Sequence, residues 1–181
     1  MAAALALAAV AGGGCVSTDT RLLGQFEDTL RAHDSATAAL RQWCEVRRIA
    51  EAADIVARRV PGADAPPPPG ARESLGLGAD EPLGYRHVRL TCGETVLSEA
   101  HNWFVPSRLP EEMNARLAST DLPFGKVIAP LNFRRERLGE EQGAGPGCPA
   151  GTVLSQHALL RLPDGRPIAL LTECYAAAIL R

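Results

Sequence analysis

The stretch Pro163-Asp164-Gly165-Arg166-Pro167-Ile168-Ala169-Leu170-Leu171-Thr172-Glu173-Cys174-Tyr175, close to the C-terminus, puts a hairpin turn signal ahead of an apolar strand that holds one carboxylate. Upstream, Val153 to Leu162 is a second apolar run, so the Pro-Asp-Gly turn joins two antiparallel strands. A third strand is expected over Ile128 to Leu138. Between it and the hairpin lies Gly139 to Gly151, a loop with five glycines and two prolines.

Further upstream the pattern alternates in Tyr85 to Thr91 and Thr95 to Val105, with Cys92-Gly93-Glu94 as a tight connection, which predicts another hairpin. Ile55 to Val60 has the β-branched content of a short strand. The run Pro66 to Pro69 after it cannot lie inside a helix or a central strand and reads as an exposed connector. Helical spacing marks Thr20 to Ala32 and Asp34 to Arg48, with His33-Asp34-Ser35 supplying cap residues. A brief turn is expected near Arg72 to Leu77 and a short helix over Pro110 to Leu117. Asp121 to Gly125 turns the chain. Helices followed by hairpin-linked strands predict a single α+β domain, with a roughly six-stranded antiparallel sheet and helices packed on one face.

At 181 residues and 46% hydrophobic content the chain is long enough for one real core. A net charge of -2 with scattered arginines gives no electrostatic footprint for nucleic acid. Met1 to Cys15 is an uncharged Ala/Leu/Val run ending in Gly12-Gly13-Gly14-Cys15. It predicts a signal or lipoprotein-type segment ahead of a domain at 19–181, with Cys15 as a lipidated first residue attached to a membrane; an uncleaved N-terminus would leave the protein in the cytoplasm. Cys44, Cys92, Cys148 and Cys174 allow three disulfide pairings, and sequence chooses none of them. There is no CxxC, and His33, His87, His101 and His157 are not at ligand intervals, so no metal is expected. His87 and His101 read as surface or structural residues, Trp103 and Phe104 as core and rim aromatics, and Arg134, Arg135 and Arg137 as a solvated strand edge.

Two charges fall on apolar strand faces. Arg86 alternates with Val88, Leu90 and Cys92, and Glu173 with Ala169, Leu171 and Tyr175. An inward Arg and an inward Glu in one small sheet form either a structural ion pair or the two ends of a pocket for an anionic ligand.

With these residues in place the sequence resembles the chorismate pyruvate-lyases, which convert chorismate to 4-hydroxybenzoate and pyruvate. Gly165-Arg166-Pro167 followed by Leu170-Leu171-Thr172-Glu173 is similar to that family's last strand, and Tyr85-Arg86 to the strand with its carboxylate-binding Arg. Asp34-Ser35-Ala36-Thr37 resembles its helix start, and Pro123-Phe124-Gly125 its Pro-Leu-Gly turn. The resemblance implies Arg86 and Glu173 as catalytic residues and backbone contacts to the ligand at Ala36 and Phe124. The second Arg of the family is Asn102 here, so Arg134 or Arg135 is expected to supply that cation, with Arg134 taken as the substrate contact. The implied enzyme needs no metal and no cofactor, works as a monomer and binds a small aromatic carboxylate.

The competing expectation is an exported, non-catalytic binding module for small aromatic acids. Leu75-Gly76-Leu77 through Pro82 and the hairpin up to Val105-Pro106 are also similar to the effector-sensing domains of bacterial transcription regulators, which share the lyase fold. The residues ahead of Asp34 are too few for the DNA-binding domain such regulators need, so this likeness leaves a ligand-binding role.

Overall fold

The computed structural model describes residues 18–62, 64–78 and 80–181. The signal-like segment and Cys15 lie outside the described residues. No described helix is long and apolar enough to cross a membrane.

The chain begins with two amphipathic helices, α1 (Thr18–Arg31) and α2 (Ala36–Arg47). Ser35 caps α2 through an Ala38 N–H donating to its Oγ at 3.3 Å. Strand β1 (Ile55–Arg59) follows, then the proline run and the one-turn helix α3 (Ala71–Ser74). The first hairpin is β2 (Gly84–Cys92) and β3 (Thr95–Phe104), and after it come α4 (Glu111–Ser119) and α5 (Phe124–Ile128). Strands β4 (Arg134–Gln142), β5 (Thr152–Arg161) and β6 (Pro167–Ala176) complete one antiparallel six-stranded sheet in the order β1-β2-β3-β6-β5-β4. Gly165, at φ +87°, makes the β5–β6 turn that the Pro-Asp-Gly signal predicts.

The α+β architecture agrees with the sequence reading, whereas two segments differ from it. Asp121 to Gly125 is read as a turn, yet its last residues open α5. Ile128 to Leu138 is read as a strand, yet the strand starts only at Arg134. The reason is local: Pro130 has no N–H for a ladder, and Asn132 takes a left-handed conformation at φ 50°, which Asn tolerates and which ends the turn before β4.

The main core lies between α1, α2 and strands β1, β2, β3, β6 and β5. Phe26 meets Trp43 and Tyr175 edge-on, with ring centroids 5.2 and 5.0 Å apart, and Leu40, Val88, Leu90, Leu97, Leu154 and Ile179 fill the space around them. The buried Trp43 Nε1–H donates to the Ile179 carbonyl at 3.0 Å, so the C-terminal turn is held under α2. On the same sheet face, Phe124, Val127 and Ile128 of α5 and Leu117 of α4 pack over Leu160, Ala169 and Leu171. The opposite face is covered in part by α3, where Ala71 and Leu75 meet Leu159 and Leu170. The proline run is mostly exposed and is fastened to this face by a Trp103 Nε1–H bond to the Ala65 carbonyl at 3.1 Å.

The four cysteines of the described residues form Cys44–Cys92 and Cys148–Cys174. The first ties α2 to the end of β2. The second ties β6 to the glycine-rich loop, which is thereby anchored despite its composition. Cys44–Cys92 closes a loop of 48 residues. Replacing both residues by Ala is expected to lower stability by about 2–4 kcal/mol in urea unfolding of the oxidised protein. An unchanged midpoint would mean the bridge contributes nothing.

Candidate functional site

The α2 start, α5 and the centre of the sheet converge on one cleft. Its walls are Val88, Leu90, Ala100, Phe124, Phe133, Leu160 and Leu171, and its polar members are Asp34, Ser35, Thr37, Asn102, Arg135 and Glu173. Each sheet residue arrives by alternation: Val88 and Leu90 from β2, Ala100 and Asn102 from β3, Leu171 and Glu173 from β6, and Arg135 from β4, all on the helix-covered face.

Gly125 packs against the α2 start at one side of the cleft. A Cβ on Gly125 would lie 2.6 Å from Ser35 Oγ and 3.2 Å from Thr37 Oγ1, so only glycine lets α5 approach the α2 start this closely. Behind that contact the cavity is about 30 Å³, room for a water-sized molecule. In front of it is a second hollow of about 220 Å³ that shares Ser35, Thr37 and Gly125 and carries Arg41 and Lys126 opposite Asp54. The outer hollow thus carries two cations and one carboxylate, and the two hollows meet at Ser35, Thr37 and Gly125, within the Asp34-Ser35-Ala36-Thr37 and Pro123-Phe124-Gly125 segments.

Glu173 forms a buried ion pair with Arg135. Arg135 NH2 donates to Glu173 Oε2, NH1 reaches Oε1 at 3.4 Å, and NH2 also donates to Gln156 Oε1 at 3.1 Å. Tyr175 Oη–H donates to Glu173 Oε2 at 3.1 Å. Burial opposes the charge on Arg135, but Glu173 beside it outweighs that and raises the guanidinium pKa above its ordinary value. Burial first, and then the Glu173 charge, push the Tyr175 phenol well above the usual tyrosine range, so Tyr175 is a neutral donor to the carboxylate. The Arg135 backbone N–H donates to Asp34 Oδ1 at 3.0 Å, which connects the ion pair to the helix start.

These positions correct the partnership expected from sequence. Arg86 points inward and is 3% exposed, but it does not face Glu173 or line the cleft. Its guanidinium donates to the Leu122 and Thr120 carbonyls at 2.8 and 2.9 Å. Burial and then neighbouring Arg59 lower its pKa to about 10, and its Nε has no hydrogen-bond partner. Arg86 therefore holds the segment that leads into Pro123-Phe124-Gly125. Arg134 is exposed and outside the cleft, because β4 begins one residue before Arg135 and alternation turns Arg134 outward. Arg135, read from sequence as part of a solvated edge, is the inward cation, and Arg137 donates to the Leu30 carbonyl at 2.8 Å. Ala36 and Phe124 line the same cleft as Glu173. Asn102 lines it too, with Nδ2–H donating to the Arg86 carbonyl at 3.3 Å.

On the opposite face the β2–β3 register sets His87 across from His101, Arg89 across from Glu99 and Tyr85 across from Trp103. The imidazoles stack at 4.1 Å, and His101 stacks in turn on Trp103 at 5.8 Å. His87 Nε2 lies 2.8 Å from Glu99 Oε1, Arg89 Nε donates to Glu99 Oε2 at 2.9 Å, and Tyr85 Oη is 2.7 Å from His101 Nδ1. Linear spacing hid this cluster. The turn signal alone could not have found it: a two-residue turn after Cys92 pairs His87 with Ala100, and only the bulge between Leu90 and Thr91 shifts the register so that His87 stands opposite His101.

Two predictions come from these groups. Arg135→Met leaves Glu173 buried without its cation and is expected to cost about 3–5 kcal/mol in urea unfolding, while Arg135→Met combined with Glu173→Leu restores most of it. Equal midpoints for wild type and the single variant would show that the pair carries no stability. For His101, burial first and then His87 lower the folded pKa below the ordinary 6.5. Its contribution is therefore complete above the unfolded pKa and is lost as pH falls from there through the folded value. His101→Gln should flatten that part of the stability–pH curve, and an unchanged acid limb would remove His101 from it.

No family model matches the chain. Among solved structures, the fold is similar to that of the effector domain of PhnF from Mycobacterium smegmatis, with a TM-score of 0.56, 14% identity and coverage of 79% of this chain and 88% of that one. Against the longer PhnF structure from the same organism the TM-score is 0.58 at 13% identity, covering 82% of this chain and 66% of that one. The chain also spans 59% of the possible transcriptional regulator YydK from Bacillus subtilis, at 16% identity and a TM-score of 0.47. In sequence, it is 41% identical over 178 residues to the uncharacterized protein y4mC of Sinorhizobium fredii, covering 88% of this chain and 75% of the relative. Identity of that degree over most of both chains makes this protein a member of the y4mC family, built on the fold of the PhnF effector domain.

Proposed function

We propose that this domain binds a small ring-bearing carboxylic acid in the cleft between α2, α5 and the sheet. The observation that carries this is the buried Arg135–Glu173 pair at the floor of an otherwise apolar cleft, behind a gate at Gly125. The bonds to Glu173 and Gln156 leave part of the Arg135 donor set for a ligand oxygen, and the aliphatic and phenylalanine walls suit a ring. The first amides of α2 lie at the positive end of a helix dipole beside the same space, which favours a carboxylate. A ring does not fit in about 30 Å³, so binding requires α5 to move away from the α2 start. Arg41 and Lys126 would draw the anion to the mouth first.

Sensing or carrying such an acid is preferred over eliminating pyruvate from chorismate. Elimination with Glu173 as proton shuttle needs a carboxyl free to take and release a proton, and here Arg135 and Tyr175 both hold it as an acceptor. The fold likeness to the PhnF effector domain supports a ligand-binding role in the same direction.

Calorimetric titration with 4-hydroxybenzoate is expected to show one saturable site, weakened about tenfold or more by the isosteric Glu173→Gln. Chorismate is expected to bind without releasing pyruvate. Absence of binding by either compound would sink the proposal, and pyruvate release abolished in Glu173→Gln would move the assignment to the lyase.

A further inference from the structure

The sheet face away from the cleft holds a second constellation that ligand binding does not use. One ligand atom each from His87, Glu99 and His101 lie within 4.8 Å of one another, all three side chains being partly buried. We propose that these residues form a divalent metal site of the zinc type, with two imidazoles and one carboxylate from adjacent strands and a fourth position open to solvent.

The donor set is that of sites where three protein ligands leave one position for water or substrate. The surrounding contacts hold the ligands in the required form. His101 Nδ1 lies 2.7 Å from Tyr85 Oη, and in the tautomer whose Nδ1–H donates to that oxygen, Nε2 keeps the lone pair a metal needs. Arg89 takes the outer oxygen of Glu99, which leaves Oε1 directed at His87. Burial alone would raise the Glu99 pKa, but Arg89 and His87 outweigh it and hold the carboxyl below its usual range, while His101 is held below its own.

In metal uptake the ion takes the place of the hydrogen between His87 Nε2 and Glu99 Oε1, and the His87 ring binds as its neutral Nδ1–H tautomer. Tetrahedral bonds of about 2.0–2.1 Å place ligand atoms roughly 3.3 Å apart, so the 2.8 Å pair opens slightly and the wider separations close by side-chain rotation. The strands are the interior pair β2 and β3, a rigid base for a site. His101 also lines a hollow of about 400 Å³ walled by Pro66 to Pro69, Trp103, His157 and Thr172, so the site borders space where an exogenous ligand could stand against the indole.

The test is Zn²⁺ titration of the full chain, stripped with chelator and kept oxidised so that its disulfides offer no thiolates, followed by calorimetry. Co²⁺ absorption reports the geometry. One Zn²⁺ per chain is expected, weakened about 100-fold in His101→Ala and in Glu99→Gln, about tenfold in Tyr85→Phe through lost orientation, and not at all in His157→Ala. A metal-free melting curve verifies that each variant is folded. If an alanine variant does not fold, Glu99→Gln and an intense visible Co²⁺ spectrum in wild type decide. No saturable Zn²⁺ binding by the wild type, or binding that His87, Glu99 and His101 variants retain at full strength, overturns the site.

Discussion

The Arg135–Glu173 ion pair is the constraint around which the helix-covered half of the molecule is arranged. Two buried charges in an apolar interior cost several kcal/mol of lost hydration, and only close pairing with further hydrogen bonds returns it. Gln156 and Tyr175 supply those bonds, so β4, β5 and β6 each contribute to one polar knot. Asp34, accepting from the Arg135 backbone, extends it to the start of α2. An edge strand is thus stitched to the sheet centre by its side chain as well as by its ladder.

The roof depends on a different kind of contact. Gly125 against Ser35 and Thr37 is a van der Waals closure that exists because one Cβ is missing, and it separates the small inner cavity from the outer hollow. Arg86 braces the segment behind it through the Thr120 and Leu122 carbonyls. Arg59 does the same for the end of α4, donating to the Leu117 and Ala118 carbonyls. Cations set against backbone carbonyls, Arg86 buried and Arg59 exposed, satisfy acceptors at and just beyond the end of α4 and so hold the segment that leads into α5. A floor held by charge and a roof held by shape are what a closing pocket needs.

The two faces of the sheet divide the chemistry between them. Alternation along β2 and β3 sends Arg86, Val88 and Asn102 to the cleft side and Tyr85, His87, His101 and Trp103 to the other, so adjacent residues belong to unrelated sites. The Cys148–Cys174 bridge keeps the glycine-rich loop against this second face, where Pro146 and Gly147 help wall the hollow beside His101 and Trp103.

Much was legible in the chain itself. Alternation, the Pro-Asp-Gly turn, cap residues and helical spacing specify α1, α2, both hairpins and the α+β class, because those signals act within a few residues of backbone. They also mark Glu173 as an inward charge, whereas Ala36 and Phe124 were implied as neighbours of one space only by the family resemblance. They do not reveal which cation meets Glu173. Arg86, Arg134 and Arg135 look alike in sequence, and the choice turns on where β4 starts, which Asn132 and Pro130 shift by several residues, and on which strands lie side by side. The pairing of the cysteines and the meeting of His87, Glu99 and His101 were decided the same way, by strand order and register. Sequence by itself determined that Arg86 and Glu173 turn inward, through a period of two; only the tertiary structure decided that Arg135 turns inward too and meets Glu173, because partners 38 residues apart in the chain are joined by the sheet and by nothing local.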